Sequence, residues 1–242
     1  MGDPAELLLS VRGEARQMIS PDYAIVAAAI QATRGSKAEA VRAAAAGLDS
    51  LTADLAAHGG VALDADTGQR PLTWSAQSAT TQEEHAHDNQ TGRFEPTGRV
   101  TAVVAVMIAV RAFELLDTLG AVLAAHEAVS VHQVTWDVDW DNPAWQDVRA
   151  AAIQAAIQKG RDYAAALGGS LRSVQHIADA GLLGGDNAQH QFTGRMRQPP
   201  LGLSAGRAGG ESGAPSLDPV PQELTAIIEA RLTADSVSLT AH

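Results

Sequence analysis

The chain has 242 residues, a net charge of −11 and no cysteine, and its length supports one large domain or two small ones. The negative charge and the absence of Lys/Arg runs exclude a surface built to bind phosphate backbones, so we expect no nucleic-acid partner. Without cysteine the chain has no disulfide, thiolate nucleophile or Cys-ligated metal site. Its apolar runs are too short for a membrane-spanning helix, and the first residues lack a signal-peptide pattern. These features predict a cytoplasmic protein with no integral membrane segment.

The first 60 residues predict two strands followed by a helix. Polar and apolar residues alternate over 7–15, as in a half-buried strand, and residues 23–33 are apolar on both faces, as in a central strand. Ser36 and Glu39 have the spacing of a helix capping box. Apolar residues then recur at helical intervals until the helix is stopped at Gly59.

The rest of the chain predicts further strands and helices. Alternation or a short apolar run predicts a strand, and apolar residues three and four positions apart predict a helix. Asn142 is the predicted N-cap of the second long helix, with Pro143 at its first position. The predicted elements are strands at 72–80, 100–110, 130–140, 171–178 and 224–239, helices at 113–123 and 143–167, and a polar loop at 82–98.

Residues 179–222 contain nine glycines and five prolines, which predicts a long flexible loop before the last strand. The order of elements predicts an α+β fold with largely antiparallel sheets and Ala-rich helices packed on one side. We predict one domain over residues 1–242. It would have two small α/β lobes, 1–98 and 99–242, and its last strand, 224–239, would return to the sheet.

Several short motifs occur in a fixed order along nearly the whole chain. They are Val11-x-Gly13, Pro21-Asp22, the apolar strand from Val100, Leu115-Leu116, the Ala-rich helix ending in Ala166-Leu167-Gly168, and Pro221 before the last strand. Together they resemble the SIMPL-domain family, a bacterial group of poorly defined function that includes periplasmic antigens and proteins of oxidative-stress defence. The resemblance implies an α+β fold, and it implies ring-like or cage-like homo-oligomers in some members. It also implies a link to envelope or stress phenotypes, and it supplies no catalytic residue.

Residues 83–88 contain side chains that could bind a divalent metal. On a strand, His85 and His87 would share one face, and Asp88 adds a carboxylate, so these three are the candidate ligands. No distant further ligand is evident, and a solvated polar loop explains the same residues. We therefore predict no metal and no cofactor, with a metal- or small-ligand-binding module as the alternative function.

Two other patterns point to catalysis. Residues 202–206 match the G-x-S-x-G nucleophile elbow around Ser204, but they lack the flanking strand and helix that the motif needs, which favours a chance match. Asp137 and Asp139, two residues apart on a predicted strand, would be paired carboxylates roughly 7 Å apart, or a solvent-facing edge. We assign no catalytic residue on this basis.

The aromatic and imidazole side chains give weaker evidence of a functional site. Trp136, Trp140 and Trp145 would form a ligand platform or, more commonly, seal a core or a subunit interface. The isolated histidines, which we interpret as structural, are His126, His132 and His176. The sequence thus favours a non-enzymatic protein that assembles with copies of itself, ahead of the ligand-binding module and, last, a serine hydrolase using Ser204.

Overall fold

The computed structural model describes residues 6–64, 68–88, 93–183 and 218–235. Its strands are β1 (Leu7–Ile19), β2 (Tyr23–Arg34), β3 (Val61–Ala62), β4 (Leu72–Ala76), β5 (Thr80–Asp88), β6 (Arg93–Val110), β7 (Val129–Asp137), β8 (Leu171–Asp179) and β9 (Gln222–Ala234). Its helices are α1 (Lys37–Ala57), α2 (Leu116–Ala125) and α3 (Ala144–Ala166), with a 3-10 turn at Phe113–Leu115. The predicted α+β class is confirmed. Within the described residues, no helix has the length and apolar content needed to cross a membrane.

The chain forms two compact units. The terminal unit contains residues 1–19, 140–212 and 223–242, and the central unit contains residues 20–139 and 213–222. The sequence suggested lobes at 1–98 and 99–242, whereas β6 runs continuously across residue 98 and its later residues pair with β2 and β4.

The central unit is built on a sheet of six strands. Its main path is β3-β4-β6-β2-β7, and β5 pairs with β6 on the same side as β4. All of these pairs are antiparallel except β3–β4, which is parallel, so the prediction of largely antiparallel pairing is confirmed.

The core of the central unit lies on one face of this sheet. Because strand residues alternate between faces, the even-numbered positions of β2 and β6 point into the core, with Ile30 and Ile108 fully buried. Helices α1 and α2 contribute Leu51, Leu55 and Leu119 to the same cluster, which confirms that helices pack on one side. The Ser36 hydroxyl accepts a hydrogen bond from the backbone N–H of Glu39, as the capping pattern predicted.

The terminal unit is a three-stranded sheet, in the order β1-β9-β8, with α3 packed against β1. Gly13 permits this packing, since a Cβ there would collide with the backbone of Ala152 and Ala156. The side-chain amide oxygen of Asn142 accepts a hydrogen bond from the N–H of Ala144 at 2.9 Å. Asn142 therefore binds the first residue of α3, but the helix begins one residue later than predicted, so Pro143 rather than Asn142 is at the N-cap position.

Several predicted elements have different bounds, and the predicted strand at 72–80 ends at Ala76. The predicted polar loop at 82–98 is wrong, because most of it forms β5 and the first part of β6. The predicted strand at 130–140 ends at Asp137, and the predicted strand at 224–239 is described only to Ala234. Most of the predicted flexible loop, residues 184–217, lies outside the described residues.

Candidate functional site

A two-stranded ribbon extends the central sheet at one end. Along β6, the partner strand β2 reaches only to Val100, whereas β5 continues to pair with β6 as far as Arg93. We call residues 83–88 and 93–99 the ribbon. Every ribbon side chain that the structure describes is exposed, and 71% of Phe94 is accessible to solvent. The ribbon therefore presents both faces and both edges outside the core.

A bulge sets the direction of the ribbon. The pairing register of β5 and β6 shifts between Glu83 and His85, and Gly98 has a φ of 75°, a conformation that favours glycine. The Thr97 hydroxyl donates to the backbone oxygen of Glu84 at 3.1 Å, and Arg99 lies 3.5 Å from the Glu84 carboxylate. These contacts fix the ribbon where it leaves the sheet.

The candidate metal ligands lie on this ribbon. Positions 85 and 87 do occupy one face of a strand, where the His87 ring packs edge-on against the Phe94 ring at 5.2 Å. The His85 ring nitrogen Nδ1 lies 3.2 Å from the backbone oxygen of Glu83. In the part of the chain that the structure describes, no three His, Asp or Glu side chains gather around one point. One ribbon therefore presents two imidazoles rather than a full ligand set.

The opposite edge of the central sheet is β7. Among the described strands β7 pairs with β2 alone, so its outer edge has no described partner. The pairing contains a bulge, since Ala27 opposes Gln133 and Ala28 opposes Val131, which leaves His132 out of register. Residues 131–133 are exposed at this edge.

An apolar groove lies beside that edge, between α2 and β7. Its volume is about 610 Å³. Val129, Val131 and Val134 form its floor, and they lie on the core face because they pair with core-facing residues of β2. Its wall is formed by the α2 residues Leu116, Asp117, Leu119, Gly120, Ala121, Leu123 and Ala124. Val131 is 49% exposed, so the groove leaves apolar surface open to solvent.

Sequence reasoning missed this groove. The predicted helix and strand were both found, but neither pattern states how closely α2 lies over β7. One signal was present in the sequence, because residues 128–136 contain no Asp, Glu, Lys or Arg in a chain of net charge −11.

The predicted carboxylate pair is divided between two partners. Both oxygens of Asp139 accept hydrogen bonds from the Arg111 guanidinium, at 2.6 and 2.8 Å. Asp137 instead accepts from the Tyr23 hydroxyl at 3.1 Å and from the backbone N–H of Val138. Because β7 ends at Asp137, the two aspartates do not share a strand face, and each carboxylate has its own partner.

Arg111 is the centre of a polar cluster at the end of β7. Its guanidinium lies 4.8 Å from the centre of the Tyr23 ring and donates to the backbone oxygen of Gly68. The hydrogen bond from Arg111 lowers the pKa of Asp139 below its ordinary value. Burial, followed by the nearby charge of Asp137, raises the pKa of Tyr23 to about 12. Because each carboxylate accepts hydrogen bonds from its own donors, the cluster anchors the end of β7.

The three candidate tryptophans are divided between the two units. Trp136 packs edge-on against Phe113 at 5.4 Å and joins the edge of the central core. In the terminal unit, 85% of Trp140 is exposed, and Trp145 lies 5.9 Å from the Arg149 guanidinium. Trp136 thus seals a core, as the structural interpretation predicted.

The isolated histidines have varied surroundings. His126, which follows α2, lies 2.8 Å from the carboxylate of Asp54 on α1, so this pair connects the two helices. His132 is exposed at the β7 bulge, and His176 is exposed on β8. Ser204 and its G-x-S-x-G motif lie outside the described residues.

A family model described as SIMPL, a protein of unknown function (DUF541), matches residues 9–232. Since this match spans most of the chain, the protein belongs to the SIMPL family, as its motifs predicted. No curated protein matches the chain.

Proposed function

We propose that this SIMPL-family protein is a non-enzymatic, self-assembling protein that forms a homo-oligomeric ring or cage. The β5–β6 ribbon is the observation that carries the proposal. The resemblance described above supports it as well, because some members of the family are implied to form such assemblies. Assembly through an exposed strand would also protect backbone groups that otherwise invite non-specific pairing.

The ribbon has the properties of an arm that binds another subunit. An isolated two-stranded ribbon is only marginally stable in water, and here its far end lacks the support of β2 and of the core. Contact with a second copy would supply that support. The exposed ring of Phe94, packed edge-on against the His87 ring, gives such a contact an apolar centre.

The charges of the ribbon favour head-to-tail assembly. The β5 strand carries acidic residues, among them Glu83 and Glu84, whereas β6 carries Arg93 and Arg99 against a single acid, Glu95. The acidic edge of one ribbon is therefore complementary to the basic edge of another. Repeated contacts between two different surfaces close into a ring when the rotation between copies is suitable.

Native mass by light scattering during size-exclusion chromatography tests the proposal. We expect a discrete mass of several subunits for the native chain, and a lower mass for Phe94→Ser. Leu182→Ser is the matched control, because Leu182 is also a highly exposed apolar residue, at 64%, but lies outside the ribbon. A native chain that is monomeric over a wide concentration range would overturn the proposal.

The proposal includes the stress-linked or envelope-linked role that the family resemblance implies. A strain that lacks the protein should be more sensitive to peroxide or to envelope-damaging detergents. Rescue by the native chain, but not by a chain that fails to assemble, would connect that role to the oligomer. Equal survival of the deletion strain and its parent would contradict it.

A further inference from the structure

The structure places the two histidines of the ribbon where the sequence alone left two explanations open. A solvated loop was the competing explanation for His85 and His87, but both lie on the paired part of β5, beyond the bulge. From His85 onward the pairing with β6 is regular, so the two rings share one face of the ribbon. Their Cα atoms are then about 6.5 Å apart along the strand. Two imidazoles at this spacing can bind one metal ion together.

The His85 ring is already oriented for such a contact. A carbonyl oxygen only accepts, so Nδ1 of His85, which lies 3.2 Å from the backbone oxygen of Glu83, carries the hydrogen of that bond. In a neutral imidazole the lone pair is then on Nε2, at the outer end of the ring. Histidines that bind metals usually have this arrangement, in which the second nitrogen donates to a fixed oxygen and holds the ring. The hydrogen bond therefore selects the tautomer of His85 that binds a metal through Nε2.

The residues opposite the two histidines do not compete with them. In the register of the ribbon, His87 lies opposite Phe94 and His85 lies opposite Pro96. The Phe94 ring packs edge-on against the His87 ring at 5.2 Å, which restricts the movement of that ring. Neither Phe94 nor Pro96 brings a positive side chain that would repel a cation. The two imidazoles are therefore the groups that a metal ion meets on this face.

The number and kind of these ligands select the metal. Within the described residues, no third His, Asp or Glu completes a cluster with the pair, so water would fill the remaining coordination positions. Mg²⁺ and Ca²⁺ prefer oxygen ligands, and structural Zn²⁺ sites use four protein ligands. Two neighbouring nitrogens with water suit the tetragonal coordination of Cu²⁺, which also has the highest affinity in the divalent series. The net charge of −11 attracts cations in general.

We propose that His85 and His87 form a site for one divalent transition-metal ion, and that Cu²⁺ binds there most tightly. The ion is bound by Nε2 of His85 and by one ring nitrogen of His87. The inference goes beyond the proposed function and does not depend on it, because both protein ligands come from one chain. The ion would lie on the same ribbon as the proposed contact between copies.

Calorimetric titration of the native full-length chain with Cu²⁺ tests the site. The affinity should fall by at least about tenfold in His85→Ala and in His87→Ala, since even the partners of metal ligands contribute that much. His132→Ala and His176→Ala are the matched controls. These two histidines are also exposed on strands, but neither has a histidine two residues away, and we expect the native affinity. Electron paramagnetic resonance of the Cu²⁺ complex should show two imidazole nitrogens in the native chain and one in each ribbon variant.

A double variant separates geometry from histidine content. Ala86→His/His87→Ala keeps two histidines in the ribbon but places them at adjacent positions, which point to opposite faces of a strand. Its affinity for Cu²⁺ should be as low as that of His87→Ala. Native affinity would mean that the shared face is not required, and would overturn the proposal. Because the ribbon is exposed, these substitutions remove no buried side chain, and circular dichroism checks that each variant is folded.

The outcomes separate this inference from the proposed function. A monomeric native chain that binds Cu²⁺ through both histidines overturns self-assembly and leaves the metal site standing. An oligomer whose affinity for Cu²⁺ is unchanged in His85→Ala and His87→Ala overturns the metal site and leaves self-assembly standing. A native chain that does not bind Cu²⁺ also overturns the site, and so does an equal loss of affinity in the control His176→Ala.

Discussion

The two sides of the central sheet solve the problem of an exposed strand in different ways. The ribbon carries Glu83 and Glu84 on β5 and extends beyond the core, whereas β7 carries no formal charge before its last residue, Asp137, and stays beside the core under α2. A charged edge resists unselective pairing and can choose a partner by charge. A largely uncharged edge beside an apolar groove instead leaves apolar surface exposed to solvent. The difference teaches that the two sides of one sheet can expose strands of different chemistry.

The largest loss of stability is expected in β6, because both sides of the central sheet depend on this strand. Strand β6 pairs with β5 and with β2, which in turn holds β7, and Ile108 on β6 is fully buried. Ile108→Ala should lower the free energy of unfolding by about 2–5 kcal/mol, because it leaves a cavity in the core. Met107→Ala is the control, since Met107 is the adjacent residue, on the other face, and 41% exposed. Equal losses in urea denaturation for the two variants would show that the core is not where we place it.

A smaller loss of stability is expected from a change at Asp139, which lies in the polar cluster at the end of β7. Asp139→Asn removes the charge that Arg111 holds with two hydrogen bonds, and should cost about 1.5–3 kcal/mol. Because the pKa of Asp139 is lowered in the folded state, its contribution is fully present above the unfolded pKa. The contribution is lost as the pH falls through the lower, folded pKa.

Urea denaturation of both chains over a series of acidic pH values measures this contribution. The difference in the free energy of unfolding between the native chain and Asp139→Asn should become smaller as the pH decreases. The same stability difference at all pH values would mean that the Asp139 charge does not stabilise the fold. The ribbon lies at the other side of the sheet, and its variant Phe94→Ser should show no such change in pH dependence.

Replacing one glycine on each side of the central sheet should change the stability in opposite directions. Gly98 has a positive φ in the ribbon bulge, so Gly98→Ala should cost about 1–2 kcal/mol of backbone strain. Gly120 lies within α2 beside the groove, with open space around it, so Gly120→Ala should add about 0.5–1 kcal/mol. Thermal unfolding of both variants measures the two signs. A stabilising Gly98→Ala would show that the bulge does not require this conformation.

The smallest stability effect is expected for the charges of the ribbon. Glu84 and Arg99 form an exposed pair, so the double variant Glu83→Gln/Glu84→Gln should change stability by less than about 1 kcal/mol. Its effect should instead appear in association, as a lower native mass by light scattering, because the head-to-tail contact of the ribbon has lost the acidic edge that it uses. An unchanged native mass would mean that these charges take no part in assembly.

Much of the fold followed from local patterns in the sequence. The capped start of α1 at Ser36 and the alternation of β1 were read correctly, because caps and core-facing positions leave a periodic signal. The ribbon was mistaken for a loop for a physical reason. Both of its faces are exposed, so no core selects apolar residues at alternate positions and the usual signal of a strand is missing.

The arrangement of the candidate functional residues could be predicted from the sequence only in part. His85 and His87 were correctly expected on one strand face if a strand was present. The sequence could not predict that Asp137 and Asp139 have separate partners, because these partners, Tyr23 and Arg111, are distant in the chain. The Gly/Pro-rich composition around Ser204 gives the motif no flanking elements in the sequence, and that segment lies outside the described residues.

The sequence by itself determined the α+β class, the main helices and strands, the family, and the uncharged stretch that became β7. These properties depend on periodicity, capping and composition, which act over a few neighbouring residues. The tertiary structure decided that β7 lies at an edge, that α2 leaves a groove of about 610 Å³ beside it, and that β5 continues past the end of β2. Strand order and the spacing between layers depend on contacts between distant segments, which a local pattern does not record.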